Sequence, residues 1–427
     1  MSIPSNTTVP VLFEKRITLG VTGSIAAYKA ADLASRLTQA GAQVDAILSG
    51  AAEKFVSPLT FQSVTGRRAY TDKDLWGSEA HVLHVGLGHA ADLLVIAPCT
   101  ANTIAKLARG QADSLLAVTA LAMQSPLLIA PAMDGGMYEH PATQENIQIL
   151  KKRGATFIGP AEGHLASGLS GVGRLLETAE ILGHIRVLLG QNGLLAGKLV
   201  VVTAGGTQEP LDPVRVITNR SSGRQGYALA QAALEMGAQV TLITTPTALT
   251  PPIGARLVKV ETASQMLDAV LAESAHSDAL VMAAAVADFR PKAMAKDKIK
   301  KESGIPQIEL EGTEDILKAV AKKRRRPERV EGAGNECPRV VVGFAAESRD
   351  LLENATHKLK SKGLDLIAAN DISMTDAGFA VQTNRVTLLF ADGRQESLPL
   401  LSKAEVAEVI LGWVSKLLEL YANSGNL

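Results

Sequence analysis

A chain of 427 residues, 46% hydrophobic and 20% charged, carries enough apolar material for two ordinary globular cores. Forty-three basic residues balance forty-three acidic ones, which excludes a global field drawing the protein to nucleic acid or to an anionic membrane and leaves specificity to local sites. The two cysteines, Cys99 and Cys337, lie far apart without metal-type spacing, which argues against a disulfide framework and fits a reducing compartment.

The N-terminal MSIPSNTTVPVLFEKR has no apolar core of signal-peptide length, and no membrane-length apolar run follows, so a soluble cytoplasmic protein with no membrane or nucleic-acid partner is expected. Short β-rich runs then alternate with helical patterns: ITLGVT at 17–22, QVDAILS at 43–49, DLLVIAP at 92–98 and PLLIAPA at 126–132. This alternation predicts a mostly parallel sheet covered on both faces. The first strand runs into Gly23-Ser24-Ile25-Ala26-Ala27-Tyr28-Lys29, with a serine where a helix N-cap belongs. Free N–H groups and the helix dipole make such a turn an anion site, although G-x-G-x-x-G is absent and an ordinary capped helix accounts for the same residues. Later strands end in Ala97-Pro98-Cys99-Thr100-Ala101-Asn102-Thr103 and in Ala130-Pro131-Ala132-Met133-Asp134-Gly135-Gly136-Met137-Tyr138. Polar, proline-marked turns at strand carboxyl ends are where open α/β sheets bind ligands. His81, His84 and His89 are candidate acid–base groups, and the glycine-rich stretch His164–Arg174 reads as a mobile segment.

The glycines of 190–198 mark a boundary, giving domains 1–192 and 193–427. The same grammar then restarts with KLVVVTAGG (198–206), AQVTLITT (238–245), DALVMAAAVAD (278–288) and RVVVGFAAE (339–347). LTQAGAQVDAILS and ALEMGAQVTLITT share a helix-ending glycine followed by a strand, the same βαβ solution used twice. Residues 203–226 form a polar excursion too long for an ordinary connection. In it Gly205-Gly206 lets backbone approach a phosphate, Arg215 offers a fork for an anion, and Ser221-Ser222-Gly223 resembles a helix N-terminus poised for another. Downstream lie Ala283–Phe289, the cluster Lys298-Ile299-Lys300-Lys301, and Lys358 and Lys362 on one side of a helix, placed for a polyphosphate or for solvent; a P-loop is absent. The basic run from Ala321 to Cys337 reads as a solvated helix end and exposed loop.

GSIAAYK, the APxTANT turn, PAMxxxMY and the GxGR segment, in this order and spacing, resemble the flavin-dependent cysteine decarboxylases. From roughly residue 15 to residue 415 the chain resembles the bifunctional phosphopantothenoylcysteine decarboxylase/phosphopantothenate–cysteine ligases of coenzyme A biosynthesis. The resemblance implies an α/β protein of two Rossmann-like doubly wound domains. It implies CTP-dependent ligation of 4′-phosphopantothenate with cysteine in the second, then FMN-dependent decarboxylation to 4′-phosphopantetheine in the first. FMN would be held by Gly23, Ser24, Ile25, Ser49, Phe55, Ser57, Thr100, Ala101, Asn102, Thr103 and Met133, at an interface between subunits of a trimer. By family position His84 is the base, accepting the substrate thiol proton while flavin takes hydride from the adjacent carbon, and 164–174 is the substrate lid. In the second half the resemblance implies Asn219 on the acyl-cytidylate and Lys298 as a catalytic residue. CTP would lie near Ala284, Asp288, Lys298, Glu314, Asp315, Ile316, Leu317, Phe344, Lys358 and Lys362, with Mg²⁺ neutralising pyrophosphate. Asn370-Asp371 and Phe379 complete the sheet and the dimer side of this domain.

Three departures stand out. Ser167 occupies the place of the family's proton-donating lid cysteine, Asp134 that of an asparagine, and Glu314 that of a proline in the base-binding turn. A thiol titrates near about 8.5, whereas a serine hydroxyl is a far weaker acid. The expectation is that the first two changes are coupled, neutral Asp134 donating the proton that Ser167 cannot; the alternative is a half that stops at the oxidised enethiol or runs slowly. Glu314 leaves CTP against ATP open. A flavin-binding regulatory protein is the competing class, against which His84 and the complete ligase half both argue.

Overall fold

A computed structural model describes residues 11–76, 80–166, 168–300, 306–324, 337–347, 350–371 and 383–424. Its contacts divide the chain into two units, Val9–Leu189 and Gly190–Leu427.

The first unit runs β1 (Arg16–Val21), α1 (Ala27–Gln39), β2 (Gln43–Leu48), α2 (Pro58–Thr65), β3 (Ala69–Thr71), α3 (Ala80–Ala90), β4 (Leu93–Cys99), α4 (Ala101–Arg109) and α5 (Leu115–Ala122). It continues through β5 (Leu127–Pro131), α6 (Gly135–Glu139), α7 (Pro141–Lys152) and β6 (Thr156–Phe157). The six strands pair in parallel in the order β3–β2–β1–β4–β5–β6, so the chain winds outward in both directions from β1. The carboxyl ends of β1 and β4 therefore diverge into a crevice. β1, β2, β4 and β5 are near-continuous apolar runs because helices cover both faces. α1 supplies one such cover, burying Ala27, Ala30, Leu33, Ala34 and Leu37 along a single stripe. After the sheet come the antiparallel hairpin β7 (Ala161–His164) and β8 (Ser170–Arg174), then α8 (Thr178–Gly190).

The second unit runs β9 (Leu199–Ala204), β10 (Gln208–Pro210), β11 (Val216–Thr218), α9 (Arg224–Glu235), β12 (Gln239–Thr244), β13 (Arg256–Lys259), α10 (Ala263–Glu273) and β14 (Ala279–Met282). Next are β15 (Phe289–Pro291), β16 (Leu310–Gly312), α11 (Ile316–Arg324), β17 (Val340–Glu347), α12 (Leu351–Ser361) and β18 (Leu366–Asp371). It closes with β19 (Thr383–Asn384), β20 (Val386–Phe390), β21 (Gln395–Ser397), β22 (Leu401–Ser402) and α13 (Lys403–Ser424). Its main sheet has the order β13–β12–β9–β14–β17–β18–β20–β21, parallel as far as β18 and antiparallel beyond.

The paired helix-Gly-strand motifs appear as expected: Gly41 and Gly237 end α1 and α9 at φ +91° and +87°, a left-handed conformation that glycine adopts without strain. The expected strand 278–288 is shorter. β14 stops at Met282, and 283–288 leaves the sheet because side chains of neighbouring segments take over its backbone hydrogen bonds. The basic run also differs from its reading. Arg324 is half-buried, donating to the carbonyls of Gly363 and Arg339 (both 2.9 Å) and to Asp365 (3.0 Å), so it clamps the ends of three segments. Residues 325–336 and Phe379 lie outside the described residues, while Asn370-Asp371 closes β18. Among the described residues no helix is long and apolar enough to cross a membrane, and no group of three or more His, Cys, Asp or Glu side chains could hold a metal ion.

Candidate active sites

The first unit holds a cavity of about 1040 Å³ at the carboxyl edge of its sheet, walled by the turns after β1, β2, β4 and β5 and by the β7–β8 hairpin. A Cβ at Gly23 would sit 2.4 Å from the Ala51 side chain, so only glycine lets the turns after β1 and β2 approach this closely. Thr22, buried at the end of β1, donates to the Pro98 carbonyl (2.8 Å) and accepts the Thr100 N–H (3.0 Å). That pair fixes the turn from which α4 starts. Thr100 caps α4 by accepting the Thr103 N–H at 3.4 Å, which brings the first turn of the helix, Ala101 to Thr103, to the cavity with its positive dipole end. Asp72, which the sequence did not single out, accepts the Leu115 N–H (3.0 Å) and the Gly50 N–H (3.2 Å), joining the start of α5 to the turn after β2. A glycine cradle beside a helix N-terminus suits a phosphate, and the volume accommodates a flavin ring, so the residues present fit FMN.

Of the residues expected here, Gly23, Ser24, Ile25, Ser49, Thr100 to Thr103, Met133 and Asp134 line the cavity. Ser24 is not the N-cap of α1. That position is Ala26, whose N–H the Ser24 hydroxyl accepts at 3.3 Å. Phe55, Ser57 and His84 are not among the lining residues. Ser57 caps α2 instead, accepting the Leu59 N–H (3.2 Å). His84 sits half-buried on α3, and its Nδ1 has no hydrogen-bond partner among the described residues. Asp134 caps the short α6, Oδ1 accepting the Gly136 N–H at 3.0 Å, a task an asparagine oxygen performs equally well.

The expected mobile segment is a paired hairpin. Ser167 lies outside the described residues, but around it the Leu165 N–H donates to the Leu169 carbonyl (2.8 Å), and Gly168 turns at φ +84°. Gly173 is no hinge: an added Cβ would meet the Met133 carbonyl at 2.2 Å, and the Met133 N–H donates to the Gly173 carbonyl at 3.0 Å. Glycine here permits close docking of β8 on the turn after β5. Glu177 adds a second tether, pairing with Lys29 of α1 (2.9 Å) and with Arg174 of β8 (3.2 Å). The Lys29 ammonium holds the Glu177 carboxyl below its ordinary value against the opposing effect of burial, with Arg174 helping.

The second unit holds a cavity of about 580 Å³, also at the carboxyl side of its parallel strands. Asn219, Ala284, Asp288, Glu314 to Leu317, Phe344, Lys358 and Lys362 line it, and Lys362 pairs with Asp315 at 3.2 Å. The irregular 283–288 wall is pinned by the Ala284 N–H to Thr203 (3.1 Å), the Ala287 N–H to Thr207 (2.9 Å), and Asn219 Nδ2 to the Val286 carbonyl (3.0 Å). Three expectations are corrected. Gly205 and Gly206 do not line the cavity: a Cβ on Gly205 would fall 2.0 Å from the Thr245 hydroxyl, and Gly206 bridges to Ala285, so the pair serves close packing. Arg215 is likewise absent from the wall and faces Asp212 at 3.6 Å. Lys298 is exposed and does not line the cavity either. The residue behind it is Asp212, unforeseen from sequence, which accepts the N–H groups of Val214 and Arg215 (both 2.8 Å) and of Ile299 (3.1 Å). Burial opposes ionisation of Asp212, but these donors and Arg215 hold its carboxyl below the ordinary range. Arg224, Gln225, Asn384 and Lys403 also line the cavity, unforeseen because they converge from segments about 160 to 180 residues apart.

Residues 10–190 match the family model described as Flavoprotein, and residues 195–418 the model described as DNA/pantothenate metabolism flavoprotein C-terminal domain. The chain is 44% identical over 410 residues to the coenzyme A biosynthesis bifunctional protein CoaBC of Bacillus subtilis, covering 95% of this chain and 98% of that one. It is 44% identical over 409 residues to the protein of the same name from Mycobacterium tuberculosis, covering 93% and 95%. A solved structure of the C-terminal domain of a CoaBC protein is 40% identical, covers 53% of this chain and 98% of its own, and superposes with a TM-score of 0.43.

Proposed function

The chain belongs to the family of coenzyme A biosynthesis bifunctional proteins, and on that premise we propose that it joins cysteine to 4′-phosphopantothenate at the expense of CTP, then decarboxylates the product to 4′-phosphopantetheine. The observation that carries the reading is the presence, in one chain, of two cavities at the carboxyl edges of two parallel sheets, one cradled for a flavin phosphate and one walled by cations. Ligation belongs to the second unit, residues 193–427, and decarboxylation to the first, residues 1–192. Two cysteines without a disulfide suit a cytoplasmic setting.

In the second cavity Lys358 and Lys362 neutralise the polyphosphate, while Asp288 and the Glu314–Leu317 turn surround the base. Asn219, locked to the 286 carbonyl, orients the activated acyl group, and the Lys298–Lys300 segment, anchored through Ile299 to Asp212, closes over it. Among the described residues no carboxylate cluster would hold Mg²⁺, so the cation would have to be carried by the nucleotide, where it would supply charge neutralisation of the pyrophosphate.

In the first cavity Gly23, Ser24, Ser49 and the N-terminus of α4 grip FMN, which when bound supplies a hydride acceptor beside the substrate carbon. His84 takes the substrate thiol proton at its partnerless Nδ1. Because His84 stands away from the cavity of its own chain, it serves the cavity of a neighbouring copy in a trimer of flavin domains. Exposed apolar residues on the same part of the fold, Trp76 (87% exposed), Val82 (53%) and Leu121 (58%), support such an interface. The β7–β8 hairpin covers the substrate and excludes water, and Asp134, at the cavity wall, donates the final proton in place of Ser167. The second unit pairs with a copy of itself to form a dimer.

The test is to incubate purified protein with 4′-phosphopantothenate, cysteine, CTP and Mg²⁺ and to identify the product by mass. Phosphopantetheine supports both halves. A product two hydrogens lighter, with reduced flavin, shows that Asp134 does not complete the cycle, and absence of pyrophosphate overturns the ligase assignment. Asp134→Asn preserves the cap on α6, so a switch from phosphopantetheine to the lighter product in that variant isolates the carboxyl as donor.

A further inference from the structure

Lys403 is the first residue of α13, 8% exposed, and its side chain reaches the wall of the second cavity beside Arg224. Three devices hold it there. Ser402 and Glu405 form reciprocal cap bonds, the Glu405 N–H to the Ser402 hydroxyl (3.2 Å) and the Ser402 N–H to the Glu405 carboxylate (2.8 Å). The preceding strand β22 pairs with β19, Asn384 opposite Leu401 and Thr383 opposite Ser402. Finally, Gln225 Nε2 donates to the Lys403 carbonyl (3.1 Å), and Gln225 Oε1 accepts from Asn384 Nδ2 (2.9 Å). Of these residues Gln225, Asn384 and Lys403 line the cavity together.

The placement is electrostatically costly. A cation at the first position of a helix faces the positive end of its dipole, and α9 presents a second such end at Gly223, next to Arg224. Burial first, and Arg224 second, push the Lys403 ammonium below its ordinary value. An anion entering between the two side chains reverses both effects, because it is attracted by two helix termini and two cations together.

We propose that Lys403 and Arg224 form a phosphate-binding subsite of the ligase cavity, with Gln225 and Asn384 as positioning residues. The inference rests on the ligase reading for its substrate: the phosphate monoester of the acid is the expected occupant, in the cavity that Lys358 and Lys362 also line, and a nucleotide phosphate is the other source of the same chemistry.

Calorimetry on the full chain tests this with four probes: inorganic phosphate, 4′-phosphopantothenate, unphosphorylated pantothenate and CTP. The wild type should bind the phosphorylated acid at least about tenfold more tightly than pantothenate. Lys403→Met should erase that difference and the binding of inorganic phosphate, leave CTP affinity within about twofold, and keep or raise the melting temperature of the ligand-free protein, since a disfavoured cation has been removed. A tenfold loss confined to CTP would keep the phosphate subsite and assign it to the nucleotide. Unchanged affinity for all four probes, or a lowered melting temperature with the tenfold preference retained, overturns the proposal. If Lys403→Met does not fold, Asn384→Ala decides: it should weaken the preference for the phosphorylated acid several-fold, and an unaltered preference refutes the subsite. A wild type that releases no pyrophosphate from CTP would sink the ligase reading, while the inorganic phosphate titration would still judge the subsite.

Discussion

In the first unit the cavity wall is made of glycine turns, hydroxyls and the N-terminus of α4, and its lysines come with carboxylates: Lys29 with Glu177 and Lys106 with Asp113, both at 2.9 Å. The second adds the cations Arg220, Arg224, Lys358, Lys362 and Lys403 to its wall, and burial, with Arg224 beside it, holds the Lys403 ammonium below its ordinary value. Neutral, preorganised donors suit a cofactor that stays bound through many turnovers; clustered cations suit polyanions that must arrive, react and leave. The second cavity should therefore be the salt-sensitive one, because screening shortens to about 3 Å at 1 M ionic strength and acts on charges more than on helix-cap geometry.

The largest effect expected from this contrast is at Gly173. Alanine there drives a methyl group into the Met133 carbonyl and displaces β8 from the turn that carries Asp134. A misplacement of about 1 Å can cost about a hundredfold in rate. Gly173→Ala should thus lower phosphopantetheine formation by about that factor while pyrophosphate release by the other unit continues unchanged; parallel loss of both activities would mean that the two sites are not separable.

Lys362→Met makes the complementary cut. It removes the ammonium that pairs with Asp315 and lines the second cavity; on the proposed function KM for CTP should then rise about tenfold, a charge-assisted hydrogen bond being worth about 1.5–3 kcal/mol, with flavin content untouched. Below it in magnitude comes Asp212→Asn. The amide keeps one acceptor oxygen but loses the charge that gathers the N–H groups of Val214, Arg215 and Ile299, so ligase kcat should fall about threefold to tenfold as the Lys298–Lys300 segment loosens. The sign with pH follows from the lowered carboxyl: the tether is intact above the ordinary aspartate value and is lost only as pH falls through the lower folded one. Wild-type ligase activity at pH 5 should consequently show no contribution from Asp212 titration, and a step near neutrality that vanishes in Asp212→Asn would contradict the assignment.

How much of this was legible beforehand varies with the range of the interaction. The turns at Gly23, Thr100 and Met133 were readable because each is a local strand-to-helix junction whose residues are contiguous, and the sheet brings all three to one edge. Gly205, Gly206 and Arg215 are not legible, because a glycine pair or an arginine in a polar loop looks the same whether it meets a ligand or a neighbouring Thr245 or Asp212. Asp72, Asp212 and Lys403 were invisible: they act across 43, 87 and 178 residues of chain, and no period or spacing encodes such a meeting. Gly173 serves contact rather than flexibility, a difference that a glycine-rich segment does not show in sequence.

The smallest effect separates the two tethers of the hairpin. Glu177 joins β8 to α1 through Arg174 and Lys29, but its carboxylate is about half exposed, and exposed pairs contribute about 0.2–1 kcal/mol. Glu177→Gln should therefore cost the decarboxylase about twofold to fivefold, far less than Gly173→Ala, because the backbone bond between Met133 and Gly173 survives. Its wild-type contribution should persist at neutral pH, fade only below the ordinary glutamate range of about 4.3, and shrink with added salt, since Lys29 holds the carboxyl low. The docking at Gly173 should show neither dependence. If Glu177→Gln matched Gly173→Ala in severity, the hairpin would be held chiefly by charge, and the first cavity would resemble the second in the way it is built.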